Sequence, residues 1–201
     1  MRVLKDKKLY YCIILFTSVW LSLVSFLDTS PAERTLSSIG GENALWFIFW
    51  GIFACLSVYT QLNMLSRKLK YEKKWFRWMI IIGSCAVVVT SIINGPETWQ
   101  SLIHWTTGIV FGVLSVLGCL ILFSEKKRVS NGSFPYITLV VLSCVFTISS
   151  IMVWGLTALC QIVILIICQL LLFRANYFDK SLLELDNVSR ACGNVESMSV
   201  D

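Results

Sequence analysis

The chain has 201 residues, of which 56% are hydrophobic and only 14% charged, with a formal net charge of +5. Soluble domains carry about a quarter charged residues, so this balance excludes an ordinary water-soluble fold. The surplus of positive charge is not a nucleic-acid signature either, because sixteen of the seventeen Lys and Arg residues fall in alternate gaps between long apolar runs.

Six such runs occur in chain order, at residues 9–27, 45–65, 78–93, 99–123, 134–154 and 156–173. Each is close to the ~20 residues that a helix rising ~1.5 Å per residue needs to cross a ~30 Å hydrocarbon core. Arg2, Lys5, Lys7 and Lys8 precede the first run, and Arg67, Lys68, Lys70, Lys73, Lys74 and Arg77 separate the second from the third. Lys126, Lys127 and Arg128 separate the fourth from the fifth, and Arg174, Lys180 and Arg190 follow the sixth. Only Arg34 sits in the other set of gaps. Short Lys/Arg-rich segments stay on the cytoplasmic side of a membrane. The expectation is therefore an all-α integral membrane protein, a six-transmembrane-helix bundle with N and C termini cytoplasmic. Residues 1–175 form one membrane domain on this reading, and residues 176–201 a short polar cytoplasmic tail. The opposite face is acidic, with Asp28, Glu33, Glu42 and Glu97 against Arg34.

The first run begins after a basic segment, as a signal peptide does. At nineteen residues it exceeds the roughly 7–15 of a signal core, and no A-x-A-like site follows Leu27, so it reads as an uncleaved first helix. Seven of the eight cysteines are spread over the runs and Cys192 lies alone in the tail, without a C-x-x-C pair, which points to small apolar packing residues and to neither zinc nor a redox pair. Trp46, Trp50, Trp99, Trp105 and Trp154 gather near expected outer ends, and Trp75 and Trp78 at an inner end, as an aromatic belt does. The basic segment RKLKYEKKWFRW between the second and third runs sets topology and is able to hold anionic headgroups. Gln61, Asn63, Gln161 and Gln169 either line a path or join helices, the commoner use.

The fourth run contains the single histidine, His104. His104, Gly108, Gly112, Ser115 and Cys119 recur at spacings of four, four, three and four, which puts them on one helix face. Gly108, Gly112 and Ser115 are the expected helix-packing face, since a G-x-x-x-G stripe admits a close neighbour. His104 then looks into the bundle near its outer surface. There it serves either as a hydrogen bond between helices or as a functional group, because ionisable groups at membrane depth face an interior or a wet cavity. Asn94 and Glu97 in the short outer turn, with Asp28 and Arg34 from the longer outer loop, complete a candidate polar cleft around it.

Two segments carry a family likeness. TLSSIGGENALWFIFWGIF resembles a Ser-x-x-Gly segment followed by an aromatic helix in uncharacterised bacterial six-helix membrane proteins related to the DRAM/Sfk-type family. NGPETWQSLIHWTTGIVFGVLSVLG is similar to that family's Pro, spacer, His and small-residue helix containing Phe. The positions carried over by this resemblance are Ser38, Gly41, Pro96, His104 and Phe111. Related chains often have an acidic–basic pair early in the last helix, whereas this one reads GLTALCQIV, with Cys160 and Gln161 there. The resemblance implies a bacterial plasma membrane and little chemistry.

One histidine and no carboxylate inside the spans fall short of the three ligands of a catalytic zinc site. No G-x-S-G element accompanies Ser101 and His104 to suggest a serine nucleophile. The reading is a non-enzymatic polytopic membrane protein without cofactor or metal. It binds membrane lipid, a partner membrane protein or a second copy of itself through an outer-leaflet cleft near His104, and no nucleic acid. The alternative is a small-solute or lipid transporter, although Pro31, Pro96 and Pro135 lie at loops or ends and break no helix at mid-membrane.

Overall fold

The computed structural model describes residues 2–24, 44–93, 98–129, 133–154 and 158–179. These contain six helices: α1 (Arg2–Val24), α2 (Ala44–Lys68), α3 (Lys74–Ile92), α4 (Thr98–Val129), α5 (Phe134–Trp154) and α6 (Ala158–Tyr177). Four are long and apolar enough to cross a membrane: α2, α3, Trp99–Arg128 within α4, and Phe134–Val153 within α5. The apolar stretches of α1 and α6, Leu9–Val24 and Gln161–Tyr177, are shorter. The protein is thus all-helical and built for a membrane.

Successive helices run antiparallel, as their end-to-end contacts show. Trp50 near the start of α2 bonds Ser22 near the end of α1, and His104 near the start of α4 meets the last turn of α3. Helix α2 is the hub, touching α1, α3, α4 and α6, whereas α5 packs mainly on α4 and α6. The most extensive contact is α3 on α4, followed by α2 on α3. One end of the bundle therefore holds the ends of α2, α4 and α6 with the starts of α1, α3 and α5, and it gathers the basic residues from Arg67 to Arg77, Lys126 to Arg128 and Arg174. The other end holds His104.

The glycine seats lie along the tight seams. A Cβ on Gly51 would stand 1.7 Å from Ser91 Oγ and 2.8 Å from Ser91 Cβ, so only glycine lets α2 cross α3 there. Gly118 is nearly as constrained, with Leu62 Cδ1 at 3.1 Å from its would-be Cβ. Helix α2 ends in a Schellman turn: Tyr71 N–H donates to Ser66 O at 2.8 Å and Lys70 N–H to Arg67 O at 3.0 Å. Lys70 takes the left-handed position, φ 54°, where glycine is usual. Tyr71 then folds under α3, edge-on to Phe76 at 5.3 Å. Pro135 lies in the first turn of α5, where its missing N–H has no helical partner to lose.

Two boundaries differ from expectation. Helix α4 continues to Val129 instead of stopping near residue 123, which places Lys126 inside it. Helix α6 runs to Tyr177 with Asn176 wholly buried, so the tail does not begin at residue 176. Both extensions have one cause. Lys126 is fully buried, and its Nζ lies 2.6 Å from Asp179 Oδ2 and 4.6 Å from the centre of the Tyr136 ring, while Tyr136 O–H donates to the same carboxylate at 3.1 Å. A buried ammonium needs such a partner. Nearby, Asn176 Nδ2 donates to Gln61 O at 3.0 Å, and Lys68 Nζ donates to Asn176 O. The closing residues of α6 are thereby tied to α2, α4 and α5.

The outward surface is apolar. Helix α5 alone exposes Leu142, Val145, Phe146, Met152 and Val153. In water such a face is an association liability, and in lipid it is the solvated side.

Candidate functional site

His104 is 7% exposed and is held by its own helix against the end of its neighbour. Helix α3 stops at Ile92, and the N–H of Ile93 makes the last turn's bond, to Val89 O. The next carbonyls have no helical donor to follow. His104 Nδ1 supplies one, at 2.9 Å from Thr90 O and 3.1 Å from Ile93 O. Because carbonyls only accept, Nδ1 carries the proton, and in the neutral ring Nε2 presents a lone pair. Thr90 and Thr107 hydroxyls add a second α3–α4 bond at 2.7 Å. Phe47 lies 5.8 Å from the imidazole and stacks in turn on Trp50 at 5.4 Å.

Beside this clamp is a cavity of about 420 Å³. Helix α4 supplies its long wall, from His104 through Gly108, Phe111 and Gly112 to Ser115 and Leu117. Phe47 and Trp50 of α2 and Val87 and Thr90 of α3 back it. The facing wall is Cys144, Thr147, Ile148 and Ile151 of α5, with Gln161, Leu165 and Cys168 of α6. Ile109, Val113 and Ile148 line it while remaining exposed on the outside of the bundle, so it opens sideways through the α4–α5 seam. Among the described residues that line it, none is Asp, Glu, Lys or Arg. From His104 to Ser115 is eleven residues, about 16 Å at the helical rise, or half of a ~30 Å hydrocarbon core.

The polar groups on the wall are not equivalent. Ser115 Oγ donates to Phe111 O at 2.7 Å and Thr90 Oγ1 to Ala86 O at 2.9 Å, within their own helices. Thr147 Oγ1 is buried and has no partner among the described residues. Among the described residues, all the hydrogen bonds of the His104 ring are on Nδ1, and Nε2 has no partner there.

The stripe expected as a helix-packing face is corrected here. A Cβ on Gly112 would meet nothing within 4 Å, and one on Gly108 only Thr90 at 3.6 Å. Among the described residues no helix approaches closely at Gly112, which hollows the wall of the cavity, whereas Gly108 keeps ordinary contact with α3. The tight approaches are at Gly51 and Gly118, which stand outside that stripe. His104 and Phe111 both line the cavity. Asn94, Glu97, Asp28, Arg34, Ser38, Gly41 and Pro96 lie outside the described residues.

Sequence reasoning missed the partners of His104 and a second polar set. Gln169 Nε2 donates to Ser18 Oγ at 3.0 Å, and Trp50 Nε1 to Ser22 Oγ at 3.0 Å, joining α6 and α2 to α1. Gln169 and Gln61 are thus buried between helices, and Gln161 is the glutamine on the cavity wall. Ser18 and Ser22, four apart on one face of α1, were the available signal for the α1 contacts. Among the described residues no three His, Cys, Asp or Glu side chains are grouped to hold a metal ion. No protein-family model, curated protein or solved structure matches the chain.

Proposed function

We propose that this chain is a six-span membrane protein, both termini cytoplasmic, that binds a membrane lipid by taking an acyl chain into the cavity beside His104. Binding rather than chemistry is the activity on this reading. The collection of basic residues at one end of the bundle supports the orientation, since such residues are retained inside. The His104 end then lies in the outer leaflet.

The observation that carries the reading is the shape and lining of the cavity. It is one leaflet deep, opens sideways toward lipid, has no Asp, Glu, Lys or Arg among its described lining residues and holds about 420 Å³, within the roughly 300–1,000 Å³ of small-molecule sites. A water-borne solute would meet an apolar mouth, whereas an acyl chain enters from its own medium. The transporter alternative is less well supported. Beyond Ser115 the interior is filled by Cys119, Leu122, Phe123 and Lys126, all fully buried, and no path continues along α4 to the basic end.

The test exploits the empty space at Gly112. Gly112→Phe projects a ring into the cavity from a position where a Cβ meets nothing. Native mass spectrometry of gently solubilised protein should show wild type retaining a defined lipid and the variant losing most of it, at unchanged thermal stability. Equal retention by both proteins would sink the cavity reading.

A further inference from the structure

The lipid-binding reading says that a chain enters the cavity, but the geometry says more about what that chain carries. His104 is 7% exposed, and its Nδ1–H is committed to Thr90 O and Ile93 O. With Nδ1 carrying the proton, the neutral ring keeps one acceptor, Nε2, as the ring nitrogen left to meet an occupant of the cavity that His104 lines. An apolar occupant would seal that acceptor from any donor, which is unfavourable, so an occupant that supplies an O–H or N–H binds better than one that does not. Gln161, on the α6 wall at the same end, offers an amide that both donates and accepts. Toward the other end of the cavity lie Phe111, Val116, Leu165 and Cys168, and Ser115 there is already satisfied by Phe111 O.

Charge excludes a second class. Among the described lining residues none is Asp, Glu, Lys or Arg, so a phosphate or carboxylate drawn to the level of a neutral His104 would be buried without a counter-ion. A guest with a neutral donor at one end and an apolar chain at the other matches the wall along most of its length, Thr147 Oγ1 being a buried polar atom there without a partner among the described residues.

We propose that the occupant is an uncharged, hydroxyl-bearing single-chain lipid, seated with its O–H donating to His104 Nε2 and its chain running past Gly112 toward Cys144 and Cys168. This rests on the lipid-binding reading and adds the chemistry of the ligand's polar end. It also separates two duties within one imidazole, Nδ1 holding the helices together and Nε2 reading the ligand.

The test uses a thiol already in place. Cys144 lines the cavity, and Cys85 on α3 is exposed and outside it. Full-length protein in detergent micelles is treated with a small uncharged methanethiosulfonate in the presence of 1-dodecanol, its methyl ether, dodecane or dodecanoate, and modification is mapped by peptide mass spectrometry. Dodecanol should slow labelling of Cys144 relative to Cys85, at a concentration about tenfold below that needed for the ether, the tenfold being one hydrogen bond's worth of affinity. Dodecanoate should be no better than the ether. Protection by all four probes at equal concentration would keep the lipid cavity and overturn the donor-reading role of His104. Stronger protection by dodecanoate than by dodecanol would overturn the uncharged class. No protection by any probe, matching the behaviour of Gly112→Phe, would overturn the lipid reading itself.

Discussion

Along a single stripe of α4, the surroundings change from empty to completely filled within four turns. At Gly112 a side chain would meet no neighbour within 4 Å, whereas at Lys126 a full-length cation is shielded from solvent altogether. The two halves share a helix, a face and nearly the same neighbours, α5 and α6, so the difference comes from what those neighbours bring. Toward the basic end, Tyr136 and Asp179 converge on the stripe and fill it. Toward the other end, α5 and α6 bring medium-sized apolar groups that stop short of the glycines. A membrane bundle has little hydrophobic driving force to collapse such a gap, because lipid chains are as apolar as the side chains that would close it.

The filled half is where a substitution should cost most. Lys126→Met keeps the length and apolar stem of the side chain but removes the charge, leaving the Asp179 carboxylate, 13% exposed, without its cation. Breaking one partner from a buried pair costs about 3–5 kcal/mol. Denaturant unfolding in micelles should show a loss of that size, and Lys126→Met combined with Asp179→Leu should recover most of it. If the single variant unfolds like wild type, the pair does not hold the end of α6.

Next in size comes a glycine in the tight seam. Gly51→Ala places a methyl 2.8 Å from Ser91 Cβ, and rotating the serine hydroxyl away does not relieve that contact. Forcing α2 from α3 by such overpacking should cost about 1–3 kcal/mol. Ser91→Gly in the same chain should restore the loss, because it removes the atoms that the new methyl strikes. A double-mutant cycle with no coupling would show that the helices do not cross there.

Much of this was legible in the sequence, and the reasons are specific. The six apolar runs correspond to six helices because hydropathy and length constrain a membrane helix directly, since backbone groups have no other partner in lipid. The inward face of His104 was legible from its spacing to Gly108, Gly112, Ser115 and Cys119. Its partners were not, because Thr90 O and Ile93 O are backbone atoms that any residue supplies. The glycine stripe misled for a related reason: spacing says which residues share a face, and only the neighbouring helix decides whether that face is pressed or hollow. Lys126 was concealed by its company, lying among basic residues whose abundance already had an explanation in topology. Its position seven residues after Cys119, on the same face, was the clue that its role differed from that of Lys127 and Arg128.

The smallest expected effect has the opposite sign and sharpens the contrast most. Gly112→Ala adds a methyl that meets nothing within 4 Å, so no neighbour has to move. What changes is the helix itself, since glycine in a helix interior is less favourable than alanine by about 0.5–1 kcal/mol. The variant should therefore be more stable than wild type by that amount in the same micelles in which Gly51→Ala is less stable. Two chemically identical substitutions, both at glycines in apolar helices, then differ in sign only because one helix face is occupied and the other is not. A loss of stability at Gly112 comparable with that at Gly51 would mean that a helix does press on the stripe, and that the cavity is closed.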